Sequence, residues 1–302
     1  MSYVLFTPVG GHDPIASFHD GAVLHICRVY RPEKVYLYLS HEMLERSRQD
    51  DRYRLSLEKL QQQLGCKMEI HQIERDELTQ VQLFDTFYTD FDQLLREIHN
   101  ENPGSTLLVN LSSGTPAMKS ALNVISVLAQ YPMQAVQVST PNRRENPKDE
   151  DPKDYDVETF WECNQDNEAD FNNRCHEVKG EHLLVKIKKE SIRRLLDAYD
   201  YKAALLLAQD IADFIPENTM SMLRAAECRL QLDQRGYAKA MQGIDHKFQP
   251  IEMGDQRQLF EYVLSLQIKM QQGNYSDFLR GLTPVVLDLF EMCLKDQLKI
   301  TP

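Results

Sequence analysis

The segment Asn110-Leu-Ser-Ser-Gly-Thr-Pro-Ala-Met-Lys119 has the composition of an anion-binding turn. An apolar run ends in Asn110. Ser112, Ser113 and Thr115 can each donate and accept a hydrogen bond, and Gly114 permits tight turning and close backbone approach. A helix is expected to start at Pro116, a favoured first helical residue. The backbone N–H groups of its first turn, Pro116 excepted, point outward and, with the helix dipole, favour a phosphate. Lys119 adds positive charge. The same residues also read as an ordinary N-capped helix. The segment is not a Walker A loop, because Met118 stands where the glycine before the Lys-Ser pair belongs, and it is not a GxGxxG fingerprint. A second segment, Thr7-Pro-Val-Gly-Gly-His-Asp-Pro14, follows another apolar run. Gly10 and Gly11 allow a ligand to approach the backbone. His12 and Asp13 can hydrogen-bond a base or a ribose. Its plain alternative is a Gly-rich turn before a proline. Cys163, Cys175, His176 and His182 lie within twenty residues of one another, but their spacing matches no common zinc pattern, so no metal site is expected.

These loops need a frame. Tyr3–Val9, Lys34–Leu39, Cys66–Ile73, Thr106–Leu111 and Met133–Thr140 are short apolar runs that read as strands. Between them, Asp20–Tyr30, His41–Leu64, Asp85–Asn100 and Pro116–Gln130 carry helical spacing. Such alternation predicts an α/β fold, a Rossmann-like domain with a parallel-rich sheet. Ligands bind such sheets at the carboxyl ends of strands, where strand order reverses. That rule selects the loops after Val9 and Leu111. Residues 141–181 hold prolines and many carboxylates with little periodicity, and read as an acidic linker or excursion that Phe160 and Trp161 pin to a domain surface. From His182 onward every segment is amphipathic at helical spacing, and an all-α second domain is expected.

The chain has 302 residues, a prior for two domains. Hydrophobic residues make up 42% and charged residues 26%, which excludes wholesale disorder. No apolar run reaches the ~18 residues of a membrane span, and the first residues lack a basic n-region and a small-residue cleavage site. The net charge of -12 opposes a sequence-independent DNA-coating role, while leaving room for a local basic pocket. Six scattered cysteines read as reduced thiols, so a cytoplasmic location is expected.

Residues 9–15 (VGGHDPI), 19–43 (HDGAVLHICRVYRPEKVYLYLSHEM) and 110–122 (NLSSGTPAMKSAL) resemble the sensor half of the CRISPR type III-A accessory ribonucleases. These are Csm-type, cyclic-oligoadenylate-activated endoribonucleases that join a CARF domain to a HEPN domain. The resemblance is strong over residues 1–140 and looser through KKESIRRLLDAYDYKAAL. It implies a CARF ligand-sensing domain over 1–145, an acidic linker over 146–180 and an all-α, HEPN-like domain over 181–302. It implies a homodimer whose facing loops hold a cyclic oligoadenylate, the six-membered ring in streptococcal members and their relatives and the four-membered ring in others. Binding would control metal-independent cleavage of single-stranded RNA. No cofactor, metal or membrane partner is implied. Gly10, Gly11, His12, Asp13, Asn110, Ser112, Ser113, Gly114, Met118 and Lys119 match or adjoin the family's ligand-binding motif. Thr115 matches a hydroxyl residue linked to cleavage of the ring in several members, where orientation and charge stabilisation carry the chemistry. Asn142 and Arg143, with Arg144, stand where they could cover the ring's phosphates or form a solvated pair. The HEPN motif, an Arg and a His separated by four to six intervening residues, is absent, and the HEPN-like domain is expected to be truncated at its C-terminus. Two alternatives accompany this reading. One is a catalytically dead sensor that sequesters the ring or heterodimerises. The other is a Rossmann-like protein for another nucleotide.

Overall fold

The computed structural model describes residues 2–141, 155–245, 248–251 and 254–298. The chain divides into two compact units, Met1–Glu181 and His182–Pro302.

The first unit is a layered α/β structure. Its elements are β1 (Tyr3–Pro8), β2 (Ile15–Ala16), β3 (His19–Asp20), α1 (Ala22–Tyr30), β4 (Lys34–Ser40), α2 (His41–Asp50), α3 (Arg52–Leu64), β5 (Glu69–Arg75), α4 (Phe84–Glu101), β6 (Thr106–Asn110), α5 (Pro116–Leu128), β7 (Met133–Val138), α6 (Val157–Glu162) and β8 (Cys175–Val178). The main sheet runs β5-β4-β1-β6-β7-β8. All pairings are parallel except β7 with β8. Strand order leaves β1 in one direction through β4 and β5, and in the other through β6 and β7. The switch point therefore falls between β1 and β6, the strands that feed the two candidate loops.

Both faces of the sheet are covered, so the central strands are nearly continuous apolar runs. Alternate side chains sort to opposite faces. Leu5, Val35, Leu37 and Leu39 pack with Leu24, Ile26, Leu57 and Leu60 of α1 and α3. Val4, Phe6, Tyr36 and Tyr38 pack with Phe87 and Phe91 of α4 and Leu122 of α5. Phe91 meets Phe6 and Tyr38 edge-on, with ring centroids 5.3 and 4.9 Å apart.

The structure departs from the sequence reading in two places. The single helix expected over His41–Leu64 breaks at Asp51, whose φ of 52° is left-handed. Residues two apart do not face each other on a continuous helix. The break brings Arg52 onto Asp50, with Nε to Oδ1 at 2.9 Å and Nη2 to Oδ2 at 2.6 Å. The Arg52 guanidinium also lies 4.3 Å from the Tyr155 ring centre.

The second departure is larger. Of the segment expected to be an acidic linker, residues 142–154 lie outside the described residues, but 155–178 are built into the first unit. Asp156 caps α6 by accepting from the Glu158 and Thr159 amides. Phe160 and Trp161 pack against the α1/α3 side of the core, as expected, and β8 extends the sheet. Buried charges fasten this strap. Asp20 accepts from Arg28 Nε at 2.6 Å, Arg28 Nη2 at 3.0 Å and Asn164 Nδ2 at 2.6 Å. Asp166 accepts from the Asp20 amide at 2.8 Å and from Arg174 Nη2 at 2.7 Å. Carboxylates that read locally as solvated are here paired across more than 140 residues of sequence.

The second unit is helical: α7 (Glu181–Asp197), whose first residue belongs to the first unit, α8 (Tyr201–Gln209), α9 (Glu217–Leu230), α10 (Gln234–Ala240), α11 (Asp255–Gln271) and α12 (Tyr275–Leu298). Val185 and Ile192, Ala204 and Leu205, and Met220 and Leu223 form its core. Arg229 Nη2 donates to Glu261 Oε1 at 2.9 Å, joining α9 to α11. Among the described residues no helix is long and apolar enough to cross a membrane.

Asp20→Ala tests the strap. It leaves Arg28 buried without its carboxylate, a change that costs about 3–5 kcal/mol. Urea unfolding should show that loss; a change below about 0.5 kcal/mol, the scale of a neutral surface substitution, would remove Asp20 from the role of anchor.

Candidate functional site

At the carboxyl ends of β1, β6 and β7 lies a cleft of about 320 Å³. Gly10, Gly11, His12, Asp13, Ser112, Ser113, Gly114 and Lys119 line it, so the two loops singled out in the sequence share one site. They meet backbone to backbone. A Cβ on Gly10 would lie 2.8 Å from the Gly114 amide nitrogen. Gly114 has a left-handed φ of 83°, and a Cβ there would lie 2.8 Å from Met118 Sδ and 3.0 Å from Pro8 Cβ. Neither position admits a side chain without moving its neighbour.

Most of the polar side chains of the motif hold the loops rather than face the cleft. Asn110 is fully buried. Its Nδ2 donates to Thr7 Oγ1 and Ser113 Oγ, both at 2.9 Å, and its Oδ1 accepts from the Ser112 amide at 2.7 Å. Ser112 Oγ accepts from the Val138 amide at 2.7 Å, tying the loop to β7. Asp13 accepts from the amides of Gly10 (2.9 Å) and Val23 (3.1 Å), and burial pushes its carboxyl above the usual range. Both of its oxygens serve the backbone, which differs from the expected contact with a base or ribose.

Thr115 and Met118 do not line the cleft. Thr115 caps α5; its hydroxyl donates to the Val81 carbonyl at 2.7 Å and accepts from the Met118 amide at 3.4 Å. The hydroxyl expected to face a ligand is thus engaged by the fold. Met118 is 1% exposed, in the core between the sheet and α4, where it supports the cap. Asn142 and Arg143 lie outside the described residues.

Lys119 is the group that remains. It is half-buried, and no carboxylate pairs with it among the described residues; burial lowers its pKa, opposed only by the more distant charge of Asp13. An ammonium in this setting, one turn into α5, gains most from an incoming anion.

Three further parts of the wall were not foreseen: the β2–β3 hairpin with Ser17 and His19, the segment Ser139–Pro141, and Arg174. The local signal for them is slight, because what brings them here is the strap. Beneath them lies His25. Its Nε2 accepts the Arg174 amide at 2.9 Å, which puts the proton of the neutral ring on Nδ1. Arg174 Nη2 stands 3.1 Å from that nitrogen. Burial first, and Arg174 second, lower the imidazole to about 4. Asp20, His25 and Asp166 are close enough to hold a metal ion. The donor set does not suit one, since Arg28 and Arg174 already neutralise the two carboxylates.

Three family models match the chain in succession. Residues 68–175 match the Cas_Csm6 CARF domain, 178–230 the Csm6 6H domain and 248–301 the Cas_Csm6 HEPN domain. The CRISPR system endoribonuclease Csm6' of Streptococcus thermophilus is 30% identical over 300 residues, 98% of this chain and 72% of that protein. This chain belongs to the Csm6 family. The CRISPR system endoribonuclease Csm6 of Mycobacterium tuberculosis is 33% identical over 285 residues, 94% of this chain and 66% of that protein. The chain thus spans just under two thirds of that relative's length. A solved structure of Enterococcus italicus Csm6, bound to cyclic hexa-2'-fluoro-hexa-dAMP, shares the fold at a TM-score of 0.73 and 23% identity, covering 98% of this chain and 68% of that one. The CARF–HEPN resemblance seen in the sequence is thereby shown as a family relationship. The helical half, read as one HEPN-like domain over 181–302, is matched in two parts, with a 6H region ahead of the HEPN match.

The low His25 pKa has a consequence for stability. Its ordinary value is 6.5. Between pH 6.5 and about 4 the unfolded chain takes up a proton that the folded chain refuses, so stability falls as pH drops through that window, by at most about 3 kcal/mol. Unfolding free energies across the window should show this slope, and His25→Gln should flatten it. An unchanged slope in the variant would place the cause elsewhere.

Proposed function

We propose that the chain is a cyclic-oligoadenylate sensor that binds its ligand in the cleft between the β1 and β6 loops and, as a homodimer, controls single-stranded RNA cleavage by the family's HEPN domain. The observation that carries this reading is the pairing of Lys119 with a glycine-lined backbone cradle. A cation with no carboxylate partner among the described residues, a helix N-terminus and two loops in backbone contact converge on one anion-sized space. In this reading the phosphodiester lies against the start of α5, where dipole and ammonium both favour it. Gly10 and Gly11 let the ring approach the chain without a side-chain barrier. His12 and the β2–β3 hairpin face the ribose and base. The ring held by the Enterococcus italicus relative has six members, which makes cyclic hexa-adenylate the first candidate.

Thr115 favours binding without turnover. Its hydroxyl is engaged by the Val81 carbonyl, so ring cleavage would require that bond to be released. The sequence from His182 to Pro302 has no Arg and His separated by four to six intervening residues. The proposal for residues 1–302 therefore concerns ligand recognition in the cleft.

Calorimetric titration with cyclic tri-, tetra- and hexa-adenylate tests the reading. The hexamer should bind at one ring per two chains, remain intact over hours, and bind at least tenfold more weakly to Lys119→Ala, a loss of about 1.4 kcal/mol. Absence of binding by every ring would move the weight to another nucleotide.

A further inference from the structure

Among the described residues, two that line the cleft carry a permanent positive charge, Lys119 and Arg174. Arg174 lies outside the motif, just before β8, and its guanidinium is incompletely matched. Nη1 donates to the Ser139 carbonyl at 3.0 Å, and Nη2 to the Asp20 carbonyl at 3.0 Å and to Asp166 Oδ2 at 2.7 Å. Nε is buried and has no partner among the described residues. The Nε–Nη2 edge is the fork that grips carboxylates and phosphates with two parallel bonds. Here half of that fork is empty. The other half shares Asp166 Oδ2 with the Asp20 amide, 2.8 Å away. A second buried atom at this wall also lacks a hydrogen-bond partner among the described residues: His19 Nδ1, which stands 3.7 Å from the same Asp166 oxygen.

We infer that Arg174 is the second phosphate-binding cation of the cleft, and that ligand binding moves its Nε–Nη2 fork from Asp166 onto a phosphoryl group while Asp166 turns to His19. The inference rests on the cyclic-oligoadenylate reading above and deepens it. One exchange satisfies both unmatched atoms. Buried unpaired donors are uncommon because each carries a desolvation penalty, and a phosphoryl group offers the two acceptors that the single carboxylate oxygen does not. The guanidinium is already held in place by Ser139 and Asp20, so little freedom is lost when it engages the ligand. The His25 ring below, neutral through Nε2, puts no competing cation at this wall. Arg174 is a fixed neighbour of β7 as well: its carbonyl accepts the Ser139 amide at 2.9 Å. An anion gripped by both Lys119 and Arg174 would therefore bridge the α5 loop to the strap.

A structural staple and a ligand contact make different predictions for the two partners of the pair. Wild type, Arg174→Gln and Asp166→Asn are each melted and then titrated with cyclic hexa-adenylate at several salt concentrations. Arg174→Gln should bind at least tenfold more weakly, with the slope of log affinity against log salt reduced by about 0.7, the value for one phosphate contact on a single strand. Asp166→Asn should bind at least as tightly as wild type, because it frees the fork. Arg174→Lys keeps the charge without the fork, so it should keep the salt slope and lose affinity. Wild-type affinity in a folded Arg174→Gln overturns the inference, as do equal losses in Arg174→Gln and Asp166→Asn. Should Arg174→Gln not fold, Asp166→Asn and Arg174→Lys decide by the same criteria. If no ring binds wild type, the cyclic-oligoadenylate reading falls by itself. Inorganic pyrophosphate then replaces the ring, and unchanged pyrophosphate affinity in Arg174→Gln overturns the role of Arg174.

Discussion

Two loops can share one edge of a parallel sheet only if their backbones are allowed to touch. Here that contact is between Gly10 and Gly114, and the geometry of the site follows from it. With a Cβ on Gly10 the β1 loop would have to lift off the α5 loop by several tenths of an ångström. With a Cβ on Gly114 the left-handed turn would be strained, and both Met118 and Pro8 would have to move. The neighbouring polar groups then lock the contact. Asn110 bonds to Thr7 on the adjacent strand and to its own loop; Asp13 returns the β1 loop to the start of α1; Ser112 fastens the α5 loop to β7. Each of these bonds contributes only about 1 kcal/mol. Together they leave the first turn of α5 in a single position at the mouth of the cleft.

The chemistry of the motif is therefore distributed differently from what its residue types suggest. A run of Asn, Ser, Ser and Thr invites a reading in which each hydroxyl or amide meets the ligand. In the folded chain Asn110, Ser113 and Thr115 have internal partners, and the described groups that line the cleft include backbone amides, His12, Lys119 and Arg174. This is the usual economy of a buried polar loop: its side chains satisfy the turn so that its main chain can be presented. It also explains why such a segment is specific in sequence although few of its side chains face the cleft.

What was legible in the sequence is what local pattern determines. The strands β1, β4, β6 and β7 are buried on both faces and announce themselves as apolar runs. Pro116 and Gly114 mark the start of α5, and the parallel character of the sheet follows from the alternation of elements. The strap was illegible for a physical reason. Asp20, Arg28, Asn164, Asp166 and Arg174 are polar residues of kinds usually found in solvent, and their burial depends on partners up to 154 positions away. The ion pairs Asp20–Arg28 and Asp166–Arg174 are each eight residues apart, but the bonds that join the two segments span 144 to 154 positions, and no local window contains both ends of those. The same applies to β8, four residues of mixed polarity that become a strand because β7 offers an edge. The break at Asp51 was hidden differently. Helical periodicity continues on both sides of it, and only the Asp50–Arg52 clasp, supported by Tyr155, shows that the helix stops.

Charge sets the terms on which such a cleft can take an anion. Residues 1–181 hold 30 of the 46 carboxylates and only 18 of the 34 Lys and Arg, so the entire net charge of -12 resides in the unit that bears the cleft. At physiological ionic strength the Debye length is about 8 Å, so an approaching polyanion meets repulsion from the surface before it senses Lys119. An extended strand would keep most of its phosphates in that repulsive zone. A compact, closed ligand can place its phosphates against the few local cations while keeping its total charge small. Affinity then has to come from short-range fit at the cradle, where the dielectric is low and each cation counts more than in water, and discrimination against long nucleic acids follows from the acidity of the rest of the unit.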